Sequence, residues 1–410
     1  MSVDIAADPP DVTGESNPDG ADDLSPEVFE AVATAEAVLK ARFGARIALS
    51  EPDDLGGSVR SVVARVRVAS SPFALPRTLV VKRYVAPTDQ PCDSFVREAV
   101  SYQLFTALSA EDRMCPELFA HSTDTRLLVL EDLGRAPTLA DKLLGNDSRA
   151  AERSLLSWAR SLGRLHATTA GREADFDALL RRLDVVSSKD PLTVEGRAAL
   201  TGLPELLESA LGVSASSGAL DAAERARGLL TASRHRAFSP SDSCPDNNLI
   251  TSRGVRFLDF EGGCVRNIML DAAYLRVPFP SCWCSFALPS GMTEAMLAAW
   301  RAEVRSMWPD LDEDPVLMPK LLDAQLFWVW LATWNYLPSA TEGAVGAIGV
   351  RHASPVLPSR GAVLAGRWRR LAEDAALAGV DAVAEHAEAV VAGLERRFGE
   401  MDLPLYPAFR

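Results

Sequence analysis

The 410-residue chain reads as an α+β protein of two lobes: a small antiparallel-sheet lobe, then a larger, mostly helical one. Three observations carry this reading. Residues 46–131 hold short segments of alternating or continuous apolar character separated by turn residues. From about residue 138 onward, long alanine- and leucine-rich segments with helical spacing take over. The change falls at Glu131-Asp-Leu-Gly134, a polar turn. The boundaries that follow are an acidic disordered tail over 1–24, a small lobe over 25–133 and a helical lobe over 134–410.

The elements follow in order. Residues 1–30 hold nine acidic groups and no Lys or Arg, and the first ~24, rich in Asp, Pro and Gly, cannot bury enough apolar surface to order. Val28, Val32, Ala35 and Leu39 share one helical face, which predicts a helix from Pro26 to Phe43. Strands are expected over 46–51 and 59–69. In the second, Val62, Ala64, Val66 and Val68 alternate with Val63, Arg65 and Arg67. Leu55-Gly-Gly-Ser-Val-Arg60 between them reads as a glycine-rich turn. A third strand over 77–85 carries Lys82, a helix over about 93–108 carries Glu98, and short strands follow near 117–120 and 126–131. Beyond the turn, helices are expected near 138–145, 150–169, 172–184, 218–231, 291–306, 315–336 and 362–397. One interruption over 238–259 holds a loop and two short strands, 248–251 and 255–259.

Composition excludes several classes. Hydrophobic residues at 48% and charged residues at 24% are ordinary for a globular protein. The net charge is −14, but the acidic groups crowd at the N-terminus and the rest of the chain is only mildly acidic. No basic stripe suits a phosphate backbone, so nucleic acid is not an expected partner. The most apolar run, Leu321 to Trp334, is broken by Asp323 and Gln325, so no membrane partner is expected. The N-terminus lacks a basic-then-apolar signal pattern, which implies a cytoplasmic location. There the six cysteines, Cys92, Cys115, Cys244, Cys264, Cys282 and Cys284, should be reduced. A zinc set drawn from Cys244, Cys264, Cys282 and Cys284 is a minor alternative, because Cys282-Trp-Cys284 is not the usual two-spacer knuckle.

The chemistry lies in an ordered series of residues. Only five lysines occur, and Lys82 is the one set in an apolar strand, Val80-Val-Lys-Arg-Tyr84. A buried ammonium requires a partner, and Glu98 on the helix that follows is the natural one. Gly56-Gly-Ser58, two strands earlier, could cover a phosphate with backbone N–H groups. Leu127-Leu-Val-Leu-Glu-Asp-Leu-Gly134 is an apolar strand leaving into a polar turn, so the backbone of Glu131 to Leu133 is available to a base edge. In Phe238-Ser-Pro-Ser-Asp-Ser-Cys-Pro-Asp-Asn-Asn248, Asp242 is a candidate base and Asn247 a candidate oxygen ligand. Asp259 ends the strand Val255-Arg-Phe-Leu-Asp259 and is a second oxygen ligand. One carboxylate and one amide oxygen suit Mg²⁺. A cation, its partner, a base and two hard-metal ligands are the parts that phosphoryl transfer needs. Asp271 is either a helix cap or a support for the 238–248 loop. His166, in Leu162-Gly-Arg-Leu-His166, reads as structural.

Over residues 50–275 the chain resembles the aminoglycoside phosphotransferase and choline kinase family. The resemblance rests on Gly56-Gly-Ser58, Lys82, Glu98, Leu130-Glu-Asp-Leu133, Leu162 to His166, Asp242 to Asn247 and Asp259-Phe-Glu261. It implies a protein-kinase-like fold, ATP and Mg²⁺ as cofactors, and the hydroxyl of a small molecule as acceptor. Asp242 would then be the catalytic aspartate, and Asn247 and Asp259 the metal ligands. Lys82 would position phosphate, and the Glu131–Leu133 backbone would hold adenine. Pro240-Ser241 stands where the family usually carries His-Gly. Glu261, where protein kinases carry Gly, favours a small-molecule acceptor. A nucleotide-binding module without transfer and a kinase acting on a peptide or protein are the alternatives.

Overall fold

A computed structural model describes residues 24–58, 60–85, 94–183, 190–280, 282, 284–340 and 357–410. The acidic stretch up to residue 23, Cys92, Lys189 and the side chain of Ser58 lie outside this description. The small lobe opens with helix α1 (Pro26–Phe43), which has Pro26 in its first turn and stops at Gly44 with φ 75°. Five strands follow: β1 (Ala48–Ser58), β2 (Ser61–Ser70), β3 (Thr78–Tyr84), β4 (Leu118–Ser122) and β5 (Leu127–Glu131). They form one antiparallel sheet in the order β1-β2-β3-β5-β4. Helix α2 (Ser94–Thr106) lies between β3 and β4 in the chain.

Side-chain alternation sorts the sheet into two faces. Leu79 and Val81 of β3, with Leu127 and Val129 of β5, pack under Ala31, Ala35 and Leu39 of α1. The intervening positions, Tyr84, Leu128 and Leu130, turn to the other face, toward Phe95, Val96 and Val100 of α2. Lys82 belongs to that second set. The pleat therefore delivers its ammonium to the helix that carries Glu98.

Of the turn expected over Leu55–Arg60, residues 55–58 are instead the end of a long strand, while Arg60 stays in the turn that leads to β2. Register shifts between Ser50 and Asp53 and between Asp54 and Gly56 absorb the irregular stretch, so β1 runs on to Ser58. Gly56 and Gly57 thus face Val63 and Val62 within the ladder.

The large lobe is built from α3 (Leu139–Leu144), α4 (Ser148–Thr169), α5 (Glu173–Arg182), α6 (Leu192–Leu211), α7 (Ser217–Leu229), the short α8 (Met269–Ala272), α9 (Met292–Val304), α10 (Asp314–Tyr336), α11 (Arg360–Leu377) and α12 (Asp381–Phe398). Between α7 and α8 lie four short strands, β6 (Arg236–Ser239), β7 (Asn248–Thr251), β8 (Gly254–Phe257) and β9 (Cys264–Asn267), paired β6 with β9 and β7 with β8. Together the lobes give the expected α+β arrangement, a small antiparallel sheet followed by a helical body.

Helix α10 is the hub. It is buried all round from Ala324 to Thr333 and packs against α6, α7, α8 and α11. The mixed polarity of a surface helix is therefore missing from its sequence. The indole of Trp328 donates to the carbonyl of Leu270 at 2.6 Å, and that of Trp368 to Thr333 Oγ1 at 2.9 Å. Among the described residues, no helix is long and apolar enough to cross a membrane.

Two helical expectations change. Helix α6 is not among the expected helices, because Gly196, Gly202 and Pro204 interrupt its pattern. The glycines serve packing: a Cβ on Gly196 would lie 2.6 Å from the Phe327 ring, and one on Gly202 2.6 Å from Trp334. The single helix expected over 362–397 is two, separated at Gly379 with φ 68°.

Candidate active site

The site is assembled where the two lobes meet. Lys82 is buried, and its Nζ lies 2.8 Å from Glu98 Oε2 and donates to Asp259 Oδ1 at 2.7 Å. Glu261 stands further off, at 3.8 Å. The hydroxyl of Tyr84 donates to the same Glu98 oxygen. Burial alone would pull the Lys82 ammonium down, but Glu98, Asp259 and Glu261 hold it above its ordinary value. Burial likewise pushes the Glu98 carboxyl up, against the pull of Lys82. The Glu261 carboxyl is held above the usual range by burial and then by Asp259.

Glycine placement follows from the ladder. Gly56 pairs with Val63, and Val63 pairs with Lys82, so Gly56 and Lys82 stand two strands apart, about 10 Å. Gly57 is set tightly: a Cβ there would lie 2.0 Å from the carbonyl oxygen of Ser61. The backbone of Ser58 pairs with that of Ser61.

At the exit of β5, the Glu131 N–H is spent on the carbonyl of Glu117 at 2.8 Å. Asp132 is clamped by Arg65 through Nε at 2.9 Å and Nη2 at 3.2 Å. No backbone hydrogen bond engages Leu133 among the described residues.

The loop after β6 presents Asp242. The Cys244 N–H donates to Asp242 Oδ1 at 3.0 Å, and Asp242 N–H donates to the Pro240 carbonyl at 2.9 Å. The Oδ2 atom takes no hydrogen bond among the described residues, and the side chain is exposed to the cleft. Its carboxyl is pushed up to about 7, first by the protein atoms crowded around it, against the Cys244 N–H, and then by Asp259, Asp246 and Glu261. Because the side chain also meets solvent, water offsets part of that push.

Asn247 and Asn248 divide their work. The Asn248 amide is buried and donates to the Ser243 and Cys244 carbonyls at 3.3 and 2.5 Å, which shapes the loop. The Asn247 amide is half-buried and takes no hydrogen bond among the described residues. The Asn247 carbonyl accepts from Leu258 N–H at 2.8 Å, which ties this loop to the residue before Asp259. Asp259 itself sits at φ 61°, with 40% of its side chain exposed. The donor set fits a divalent cation. Asp259, Glu261, Glu98 and Asp242 outnumber the one ammonium among them, and a free amide oxygen and a partly exposed carboxylate are hard-metal donors.

Behind the loop lies a buried chain of hydrogen bonds. Ser241 N–H donates to Ser239 Oγ at 3.1 Å, and Ser239 Oγ donates to Asp271 Oδ1 at 2.8 Å. Asp271 Oδ2 lies 3.1 Å from His166 Nε2, while Trp300 Nε1 donates to His166 Nδ1 at 3.1 Å. The indole can only donate, so Nδ1 accepts and Nε2 carries the proton given to Asp271. Gly163 lets α4 and α9 approach closely enough for this, since a Cβ there would lie 2.8 Å from the Trp300 carbonyl. Asp271 thus supports the loop rather than capping a helix.

Cysteine chemistry departs from expectation. Cys244 and Cys282 form a disulfide, with Cα atoms 5.5 Å apart, so not all cysteines are reduced thiols. The fold places two residues 38 apart in sequence side by side, which spacing alone does not reveal. Cys244 and Cys282 lie close to Asp242, but disulfide sulfurs are not thiolate ligands, so the proposed zinc set loses two members. Cys115, Cys264 and Cys284 are free and buried.

A separate hollow of about 400 Å³, lined by residues including Glu173, Arg234, His235, Arg236 and Trp308, contains none of these groups. Its charges are paired, Arg236 with Glu173 and Arg234 with the nearby Asp310.

No protein-family model matches the sequence, and no curated protein does. Solved structures of similar shape exist. One is a choline/ethanolamine kinase family protein from Mesorhizobium loti, at 16% identity and a TM-score of 0.44, with 88% of this chain and 99% of that one covered. A second is choline kinase from Cryptosporidium parvum, at 13% identity and a TM-score of 0.44, covering 84% and 88%. A third is APH(2")-IIa in a ternary complex with streptomycin and ATP, at 15% identity and a TM-score of 0.39, covering 74% and 99%.

Proposed function

We propose that this protein is a phosphotransferase that moves the γ-phosphoryl group of ATP to a hydroxyl of a small molecule, with Mg²⁺ as the metal. The observation that carries the reading is the convergence on Lys82. Glu98 and Asp259, one from each lobe and far apart in the chain, meet a single buried ammonium at 2.8 and 2.7 Å, with Asp242 facing the same cleft.

In this reading Lys82, held by Glu98, binds the phosphates of the nucleotide. Gly56, Gly57 and Ser58 cover them, and the Glu131–Leu133 backbone takes the adenine edge. Asn247 and Asp259 would hold Mg²⁺, which when bound supplies charge neutralisation on the phosphate oxygens. Asp242 works through Oδ2, since Oδ1 is occupied by Cys244 N–H. It accepts the proton of the acceptor hydroxyl as the oxygen–phosphorus bond forms and the bond to the leaving ADP oxygen breaks. Positioning and charge supply most of the rate. The acidic surroundings of Asp242 favour an acceptor that is not anionic near its reacting hydroxyl. ATP supply favours a cytoplasmic setting for this reaction, whereas the Cys244–Cys282 disulfide is of a kind rare in that compartment.

The test is a mass-spectrometric screen of metabolite extracts for products that need both ATP and Mg²⁺, with Asp242→Asn as the blank. The expected result is a product mass increased by one phosphoryl group with the native chain only, while Asp242→Asn still binds ATP. Product formed equally by both proteins removes Asp242 from the mechanism. Nucleotide binding without product across a broad panel favours the non-transferring alternative.

A further inference from the structure

Resting on Asp242 as the reacting carboxylate, we propose that Arg266 is a positioning residue that acts through Ser241. Ser241 immediately precedes Asp242 and sits at φ 68°, a conformation that L residues other than glycine seldom adopt. Its own backbone bond, N–H to Ser239 Oγ at 3.1 Å, orients the amide but leaves the side chain to be fixed. Arg266 Nη2 does that, donating to Ser241 Oγ at 2.9 Å. The same nitrogen reaches Asp190 Oδ1 at 3.0 Å, and Nε and Nη2 lie 3.1 and 3.0 Å from Cys264 Sγ.

The arrangement is built rather than incidental. Arg266 is 2% exposed and the Asp190 side chain 9%, so the guanidinium is anchored by a buried carboxylate from the entrance to α6. The opposite wall is Gly262, shortly past Asp259. A Cβ there would lie 2.7 Å from Ser241 Oγ and 2.8 Å from Ser241 Cβ. The Ser241 side chain is thus wedged between the segment bearing the candidate metal ligand and an arginine on β9. A glycine at 241 would reach the same backbone angle without support. A serine there has a steric cost and a hydroxyl, and Arg266 uses the hydroxyl to hold the turn.

The device predicts coupling between the two positions. Arg266→Met should lower kcat for Mg·ATP turnover, with water as acceptor and ADP release as readout, by at least about tenfold. KM for ATP should stay within about twofold, because no nucleotide contact is lost. In a Ser241→Gly background the same Arg266→Met change should cost less than about threefold, since residues sharing one bond are not additive. Equal losses in both backgrounds, or no loss in a folded Arg266→Met protein, overturn the proposal.

Ser241→Ala keeps the Arg266–Asp190 pair and so separates misfolding from mispositioning. Hydrogen exchange on the 239–248 peptide gives a readout independent of turnover. Its amides should lose protection in Ser241→Ala and Arg266→Met and keep more of it in Ser241→Gly. Unchanged protection in Ser241→Ala refutes the positioning role. Absent turnover in the native chain with the expected exchange pattern would instead count against the phosphotransferase reading alone.

Discussion

Asp271→Ala tests the buried support most directly. Asp271 is 2% exposed and accepts from two groups, Ser239 Oγ at 2.8 Å and His166 Nε2 at 3.1 Å. Alanine removes both acceptors and leaves two donors without partners. His166 cannot compensate by moving its proton, because Nδ1 already accepts from Trp300. An orphaned buried polar group costs about 1–3 kcal/mol, and the bonds lost here go to a carboxylate, so the change should destabilise the fold by roughly 3–5 kcal/mol. Asp271→Asn keeps one acceptor oxygen, which the fixed histidine proton will claim, and turns its NH₂ toward Ser239. It should cost about half as much. Urea unfolding followed by the intrinsic fluorescence of the eight tryptophans measures both. Loss of the anchor under Ser239 also frees the Ser241 amide, so hydrogen exchange over 239–248 should quicken while exchange in β1 and β2 stays the same. A destabilisation below about 1 kcal/mol in Asp271→Ala, with unchanged exchange in the loop, would refute the reasoning.

Three further outcomes are expected. Gly57→Ala places a Cβ 2.0 Å from a backbone oxygen that has no flexible end to give way. It should cost about 1–3 kcal/mol of stability and weaken ATP binding as read by calorimetry; equal affinity and stability would show that the hairpin is not under that constraint. Reduction of Cys244–Cys282 opens a loop spanning 38 residues and should lower the unfolding free energy by up to about 4 kcal/mol, with no effect of reductant on Cys282→Ser. Identical urea midpoints with and without dithiothreitol would remove the bond as a stabilising element. Glu294 is partly buried, which raises its carboxyl, but hydrogen bonds from Thr293 and Arg370 prevail and hold it down to about 2. A depressed carboxylate contributes stability above its unfolded value near 4.5 and loses that contribution as pH falls toward about 2. Glu294→Gln should therefore flatten the acid limb of the melting curve in that window, and less so in high salt because the side chain is half exposed. An unchanged acid limb would contradict this.

The local parts of this protein were legible in its amino-acid order. Strand alternation around Lys82, the helix carrying Glu98, the change of character at Glu131–Gly134 and the oxygen-rich loop from Asp242 to Asn247 all depend on short-range pattern, and each has a physical signature within its own segment. Features of longer range depend on packing. The extension of β1 through Gly56 and Gly57 comes with register shifts against β2, whereas the adjacent glycine pair by itself looks like a turn. Helix α6 packs closely on α10 where Gly196 and Gly202 meet aromatic rings, a contact that no helical propensity encodes. Strands β6 and β9 are four residues each and pair with one another across the intervening segment, packing on α4, α5 and α8. The disulfide, the His166–Asp271–Ser239 support and the Arg266–Ser241–Asp190 bracket join residues from distant segments. Side-chain pairing in space is not a periodicity, and only the packed chain brings those atoms within bonding reach.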